Sequence, residues 1–201
     1  MLIKALRPAL AHVLALTLLT GLVLPLALTG LAQGLFPEAA RGSLIVQGDR
    51  IIGSRLIGQA FSAPGYFHPR PSATTEPDPK DPSKQIPTPY AADNSGGSNL
   101  APTSKALLDR VRSDVAELRA ESPAPIPADA VTTSGSGLDP DISPAYAYRQ
   151  VPRIARARHL DEAKLRALVA AHLHRPLLGF IGEPRVNVLE LNLALDAAAA
   201  R

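Results

Sequence analysis

The strongest constraint in this chain is a stretch without charge. From Pro8 to Pro37, 30 positions pass with no Asp, Glu, Lys or Arg. Crossing the hydrocarbon core of a bilayer takes about 20 apolar residues. At a rise of about 1.5 Å per residue, a helix over residues 9–31 measures about 34 Å, enough to span with some tilt. A retained transmembrane helix fits this stretch. A cleaved signal peptide is the competing reading, with Lys4 and Arg7 as its basic start and Gly30-Leu31-Ala32 as a small-residue cleavage site. The run exceeds the usual apolar region of about 7–15 residues in such peptides, which favours the anchor. A buried helix of a soluble domain is the third possibility.

The charges around the span suggest its orientation. Lys4 and Arg7 precede it, and only Arg41 follows closely. Positive residues collect on the cytoplasmic side. The expectation is a cytoplasmic N-terminus over residues 1–8 and an extracytoplasmic domain over 35–201. Two of the 21 Lys+Arg precede the span and all 18 Asp+Glu follow it, so the domain is close to neutral. No basic tract with interleaved aromatics points to nucleic acid. The chain has no Cys, which excludes disulfides, Cys metal sites and a thiol nucleophile, and no Trp.

Within the span, Thr17 and Gly21 are four apart, as are Gly30 and Gly34. Small residues at that spacing allow close helix packing, though plain lipid-facing sequence reads the same. Pro25 is a candidate kink. His12 is the one ionisable side chain inside, so the span is an anchor rather than an ion path.

After the span, Leu44-Ile45-Val46 and Ile51-Ile52 flank Gly48-Asp49. That pattern predicts a hairpin with strands near 43–47 and 50–57. Residues 62–103 are rich in Pro, Ser, Asp and Gly and read as a long loop. Loops of that length are functional or disordered. Residues 104–121 read as a helix capped by Ser104, with Leu107, Leu108, Val111, Val115 and Leu118 inward and Arg110, Arg112, Asp114 and Glu117 in solvent. Residues 122–143 are loop-rich again. Ser143-Pro144 starts a short helix interrupted at Pro152. Arg149, Arg153, Arg156 and Arg158 form a basic cluster with His159, which reads as a solvated face in preference to a stripe that meets anionic lipid or a partner. Asp161 caps a helix to about His174, burying Leu165, Leu168 and Val169. His172 and His174 are surface residues, since no third ligand lies nearby. A brief strand at 185–187 then leads through Asn187 into a helix. The fold class is α+β, with one transmembrane helix before one mixed domain.

No phosphate loop, GxSxG elbow, HExxH or dinucleotide fingerprint is present. No acid, base and nucleophile assemble, so the residues alone give a non-enzymatic membrane-anchored domain.

A family resemblance covers nearly the whole chain. RPAL at 7–10, TG at 20–21 and Pro25 are followed by GSLI at 42–45, GS-x-LIGQ-x-F at 53–61, GYFH-x-RPSA at 65–73 and SGGSNL at 95–100. Then come VT-x-S-x-SGLDP-x-ISP at 131–144, Q-x-PR-x-A-x-AR at 150–158 and IGEPRVNVLELNLALD at 181–196. In this order they resemble KdpC, the C subunit of the bacterial Kdp potassium-transporting P-type ATPase. The tract at 77–89 departs from the pattern and reads as an insertion in a loop.

The resemblance implies an accessory, non-catalytic subunit needed for assembly and activity, with the span kept. The implied partners are the channel-like subunit KdpA, the P-type ATPase subunit KdpB, the small single-span subunit KdpF and membrane lipid. The implied membrane is the bacterial inner (cytoplasmic) membrane, and the implied transported ion is K+. No tightly bound cofactor is implied, and ATP enters only through the complex. The family role is described as a catalytic chaperone that raises the pump's ATP affinity. On that carry-over, Ser95, Gly96, Gly97 and Ser98 touch nucleotide, as in the signature loop of ABC-type ATPases. An extracytoplasmic domain favours a different mechanism, a cap on the outer mouth of the channel-like subunit that influences K+ entry. The expected contact residues are then Gln59, Tyr66, Phe67, His68, Arg70 and Asn99. A membrane-anchored binding protein for a small ligand is a further alternative, and a hydrolase with an unrecognised site is the weakest.

Overall fold

The computed structural model describes residues 2–199. It falls into two compact units, Met1–Ile52 and Gly53–Arg201.

In the first unit, α1 (Leu2–Leu18) and α2 (Leu24–Leu35) are joined without a break by a wide π-type turn, Leu19–Val23. Residues Lys4–Leu35 form one helical run of 32 residues, none of it buried by protein. The wide turn has a local cause. Pro25 has no N–H, and its ring crowds the carbonyl four residues back, that of Gly21. Opening the turn relieves that clash, and the Leu24 N–H bonds Leu19 O instead. The Thr20 hydroxyl donates to Leu16 O at 2.7 Å and is satisfied within the helix. A short α3 (Pro37–Ala40) precedes the hairpin of β1 (Leu44–Gln47) and β2 (Arg50–Ser54). Gly48 takes a φ of +61° in its turn, a conformation open to glycine. The second strand stops at Ser54, short of the expected 57, where the Ser54 hydroxyl accepts the Leu56 N–H at 3.1 Å.

The second unit opens with a finding against expectation. The tract read as a loop insertion forms a hairpin, β3 (Thr75–Asp78) and β4 (Asp81–Pro87), pairing Glu76 with Ile86. Asp78 Oδ1 accepts the Lys80 N–H at 2.8 Å and sets the turn. Both strands are edges of a two-stranded sheet, where proline is tolerated. With most of β4 exposed, no hydrophobic alternation marked it. The helix α4 (Lys105–Glu121) follows; Ser104 holds the capping position, but its side chain makes no cap bond.

The core is built by the C-terminal half. Strands β5 (Asp141–Ile142), β6 (Leu173–His174) and β7 (Arg185–Asn187) form an antiparallel sheet in the order β5-β7-β6. Around it pack α5 (Pro144–Arg158), α6 (Glu162–Ala171) and α7 (Val188–Ala199). Tyr146, Val151, Ile154, Leu165, Val169, Val186, Leu191 and Leu195 form one buried cluster. Ser143 caps α5 by accepting the Tyr146 N–H at 3.0 Å, with Pro144 in the first turn. The expected break at Pro152 is absent, and the helix runs through it. Val151 and Ile154 on either side are fully buried, and their packing outweighs the one lost bond. Asp161 caps α6 through the Ala163 N–H at 2.6 Å. Strand β7 passes into α7 as expected, with Asn187 Oδ1 accepting the Glu190 N–H at 3.1 Å.

Candidate interaction site

The site is the irregular segment 59–74 and what holds it. Phe67 is 0% exposed and sits in the core. Its N–H donates to Asn192 Oδ1 at 2.8 Å, and Asn192 Nδ2 donates back to its carbonyl at 2.9 Å. Gln150 repeats the arrangement one residue on, accepting from the His68 N–H at 2.7 Å and donating to His68 O at 3.0 Å. A loop without a backbone ladder must satisfy its polar groups in another way. Here two buried amide side chains supply the missing partners.

The arginines expected in solvent are clamps. Arg153 donates to Pro64 O, and to Tyr66 O at 3.0 Å. Arg158 donates to Gly65 O at 2.6 Å, pairs with Asp196 at 2.7 Å, and places its guanidinium 4.4 Å from the centre of the Tyr66 ring. Arg149 reaches the far end of α4, donating to Leu118 O at 2.5 Å and Ser122 O at 3.0 Å, and also to Ala124 O. Leu118 O also accepts the Ser122 N–H at 3.1 Å, so the guanidinium adds a second bond there and ties the helix end to the segment that follows it. Of the four arginines, only Arg156 is exposed.

The remaining candidates divide. The Tyr66 hydroxyl donates to Asp196 at 3.1 Å. The His68 ring bonds Ala63 O at 3.0 Å, and burial pulls its pKa below the usual histidine value. Arg70 pairs with Asp139 at 2.8 Å, and the Tyr90 hydroxyl donates to Arg70 O at 2.8 Å. Burial, more than the neighbouring Asp139 charge, raises the Tyr90 pKa. Gln59 is half-buried, with its amide against Gly53. Asn99 is exposed in a left-handed conformation. Phe67 is the exception among the expected contact residues, because its side chain has no surface to offer.

The Ser95–Ser98 loop lies on a second Gly/Ser loop. The Gly96 N–H donates to Ser136 O at 2.8 Å, and the Ser95 hydroxyl donates to the same oxygen at 3.0 Å. A Cβ at Gly97 would meet Gly135 O at 2.9 Å, so glycine is needed there for close approach of the two loops. In the span, Thr17, Gly21, Gly30 and Gly34 are all exposed, and a Cβ on any of the three glycines meets nothing within 4 Å.

An open cleft of about 630 Å³ separates the 60–72 segment from α4, with His68, Arg70, Tyr90, Arg110, Asp114 and Tyr146 among its lining. Arg110 and Asp114, expected in solvent, are half-buried here and paired at 2.6 Å. Arg110 Nε and Nη2 are buried without partners. Burial raises the Asp114 pKa despite that arginine, and pushes Tyr146 up to about 12. Among the described residues, no three His, Cys, Asp or Glu gather as metal ligands.

Of the residues that hold the site, Arg153 and Arg158 read from the sequence as a solvated basic face, and Gln150 and Asn192 were not singled out. One signal was available for Asn192. It stands in line with Val188 and Leu195 on the buried stripe of an apolar helix, where a polar side chain needs a specific partner.

Together these features define an α+β protein with one membrane-spanning helix and a domain built around a clamped loop. Comparison with known proteins narrows this class. The chain belongs to the family described as KdpC: K+-transporting ATPase, c chain, whose model matches residues 6–197. It is similar to the potassium-transporting ATPase KdpC subunit of Methylobacterium nodulans, 64% identical over 200 residues that cover 99% of this chain and 100% of the relative. The KdpC subunits of Rhodopseudomonas palustris and Bradyrhizobium diazoefficiens are 62% and 58% identical, each over 99% of this chain and 100% of the relative.

Proposed function

We propose that this chain is the single-pass accessory subunit of a potassium-transporting ATPase complex and does no chemistry itself. The observation that carries the proposal is the end-to-end match to KdpC subunits, 99% of this chain against 100% of the relative. The partners are the other subunits: channel-like KdpA, the phosphorylated P-type KdpB and the small KdpF. The domain works outside the cytoplasmic membrane as an assembly piece on the channel-like subunit. Lys4 and Arg7 before the span support that side. The Ser95–Ser98 loop spends its Ser95 hydroxyl and Gly96 N–H on Ser136 O, which leaves those groups committed within the fold rather than to nucleotide.

Two experiments test this. Co-purification from membranes must bring a channel-like and a P-type subunit with this chain. A chain that leaves detergent alone would sink the assignment. The chain has no cysteine of its own, so Asp93→Cys provides a single exposed label beside the loop. Reaction of intact cells with an impermeant maleimide supports the outside placement. Protection until the membrane is opened would return the ATP-affinity role to first place.

A further inference from the structure

The connection between β6 and β7 ends in an exposed apolar tip. Leu177, Leu178, Phe180 and Ile181 are 68%, 76%, 76% and 52% exposed. The tip is a folded structure. Leu177 and Ile181 exchange backbone bonds, with Ile181 N–H to Leu177 O at 3.0 Å and Leu177 N–H to Ile181 O at 3.1 Å. Leu178 and Gly179 both have positive φ, +54° and +83°, as in a primed hairpin turn. Asn or Gly is the usual residue at the first of these positions, and leucine is strained there. The turn thus holds a large apolar side chain in solvent by a conformation that side chain disfavours.

The base of the tip is linked through Glu190 to the point where the chain enters the domain. The chain enters at Gly53. Two residues on, Arg55 pairs with Glu190 at 2.8 Å, and its carbonyl accepts from Asn187 Nδ2 at 2.9 Å. Glu190 also lies 3.4 Å from His174 Nε2 at the base of the tip. Leu56 and Ile57, beside Arg55, are themselves 62% and 37% exposed. One end of the domain therefore carries both the tether and two groups of exposed apolar side chains. Arg175 is exposed at the base of the tip, as is Glu183 on its return side.

We propose that this tip inserts into the lipid interface of the bilayer that the chain's own helix spans. The shape argues for lipid, because a convex tip with apolar side chains enters a soft surface and offers no groove. The tether argues for it too. Residues 36–52 reach at most about 60 Å fully extended, and less with α3 and the hairpin folded, so the tip is held at high effective concentration near one leaflet. Arg175 then meets lipid phosphates. The inference rests on the spanning helix and holds for either orientation of it.

The chain has no Trp, so Phe180→Trp gives a single tryptophan, excited selectively over the tyrosines. The full-length variant is placed in vesicles of phosphatidylethanolamine and phosphatidylglycerol. Expected are a blue-shifted emission, quenching of roughly half the signal by lipid carrying a doxyl group near the headgroup, and weak quenching by iodide. Adding Leu178→Asp reduces the doxyl quenching. Emission at the solvent-exposed wavelength, open to iodide and untouched by doxyl lipid, overturns the proposal. A blue shift that needs the other subunits and comes without doxyl quenching overturns it in favour of a protein partner. Resistance to alkaline carbonate extraction reads the span separately, so loss of the anchor is distinguished from failure of the tip. Leu178→Trp repeats the measurement should Phe180→Trp fail to fold.

Discussion

Residues 64–70 follow no regular backbone pattern, and α4 is an unbroken helix of 17 residues. Yet the loop is anchored by a residue at 0% exposure, and α4 buries none of its residues fully. The helix satisfies its own backbone and rests on the core through Val111, Val115 and Leu118. The loop makes little internally beyond the Tyr66 N–H and the His68 ring on Ala63 O, and takes most of its partners from Asn192, Gln150, Arg153 and Arg158. Regular structure is thus no guide to which segment is more firmly held. Firmness follows from where the polar groups find partners and which side chains leave water.

Substitutions can break this contrast, beginning with the anchor. Phe67→Ala removes a buried aromatic, and the expected loss is about 3–5 kcal/mol in urea unfolding of the detergent-solubilised chain followed by circular dichroism. A loss under about 1 kcal/mol would mean the loop is merely laid on the core. Next comes Asn192→Ala, which strands the N–H and carbonyl of Phe67, for about 2–5 kcal/mol by the same measurement. Hydrogen exchange sharpens the point: in the variant the Phe67 amide exchanges far faster while the α4 amides keep their rates.

On the helix side the expected effects are small. The double variant Arg110→Met/Asp114→Leu replaces a half-buried ion pair that leaves two arginine nitrogens unpartnered. Its stability should stay within about 1 kcal/mol of the parent or rise. A larger loss would make the pair a genuine support of α4. The smallest effect is on pH dependence. The neutral form of His68 is favoured in the fold, mainly by burial. Between its depressed folded pKa and the ordinary histidine value the unfolded chain binds more protons, so stability falls as pH drops through that window. His68→Gln should flatten the slope below about pH 6.5, seen as urea midpoints that change less with pH.

Much of the fold was legible where patterns repeat. The 30 uncharged positions, the capped starts at Ser143 and Asp161, and the strand-to-helix passage at Asn187 each leave a local mark in the sequence. What was illegible depended on partners far along the chain. Arg153 and Arg158 read as a solvated basic face because their acceptors, the carbonyls of Pro64, Gly65 and Tyr66, lie 87 to 93 residues earlier. The hairpin at 75–87 escaped because its strands bury little, and alternation records only burial on one face. Pro152 looked like a break because local rules weigh the lost bond and not the packing of Val151 and Ile154. For the site, the loop motif was visible but its supports were not, which is why Phe67 was first counted as surface.

The wide turn at Leu19–Val23 bears on how the span can be used. A helix that opens for one turn acts as though an extra residue had been inserted, so its two halves are rotationally out of step. A helical wheel drawn straight from Thr17 to Gly34 would misplace every residue beyond Val23. Thr17 and Gly30 are 13 positions apart, about 220° around a regular helix and about 100° less once the wide turn is counted, so the two small-residue pairs do not continue one seam. Each pair faces its own direction, and a span so built can meet one neighbour in one leaflet and a different neighbour in the other.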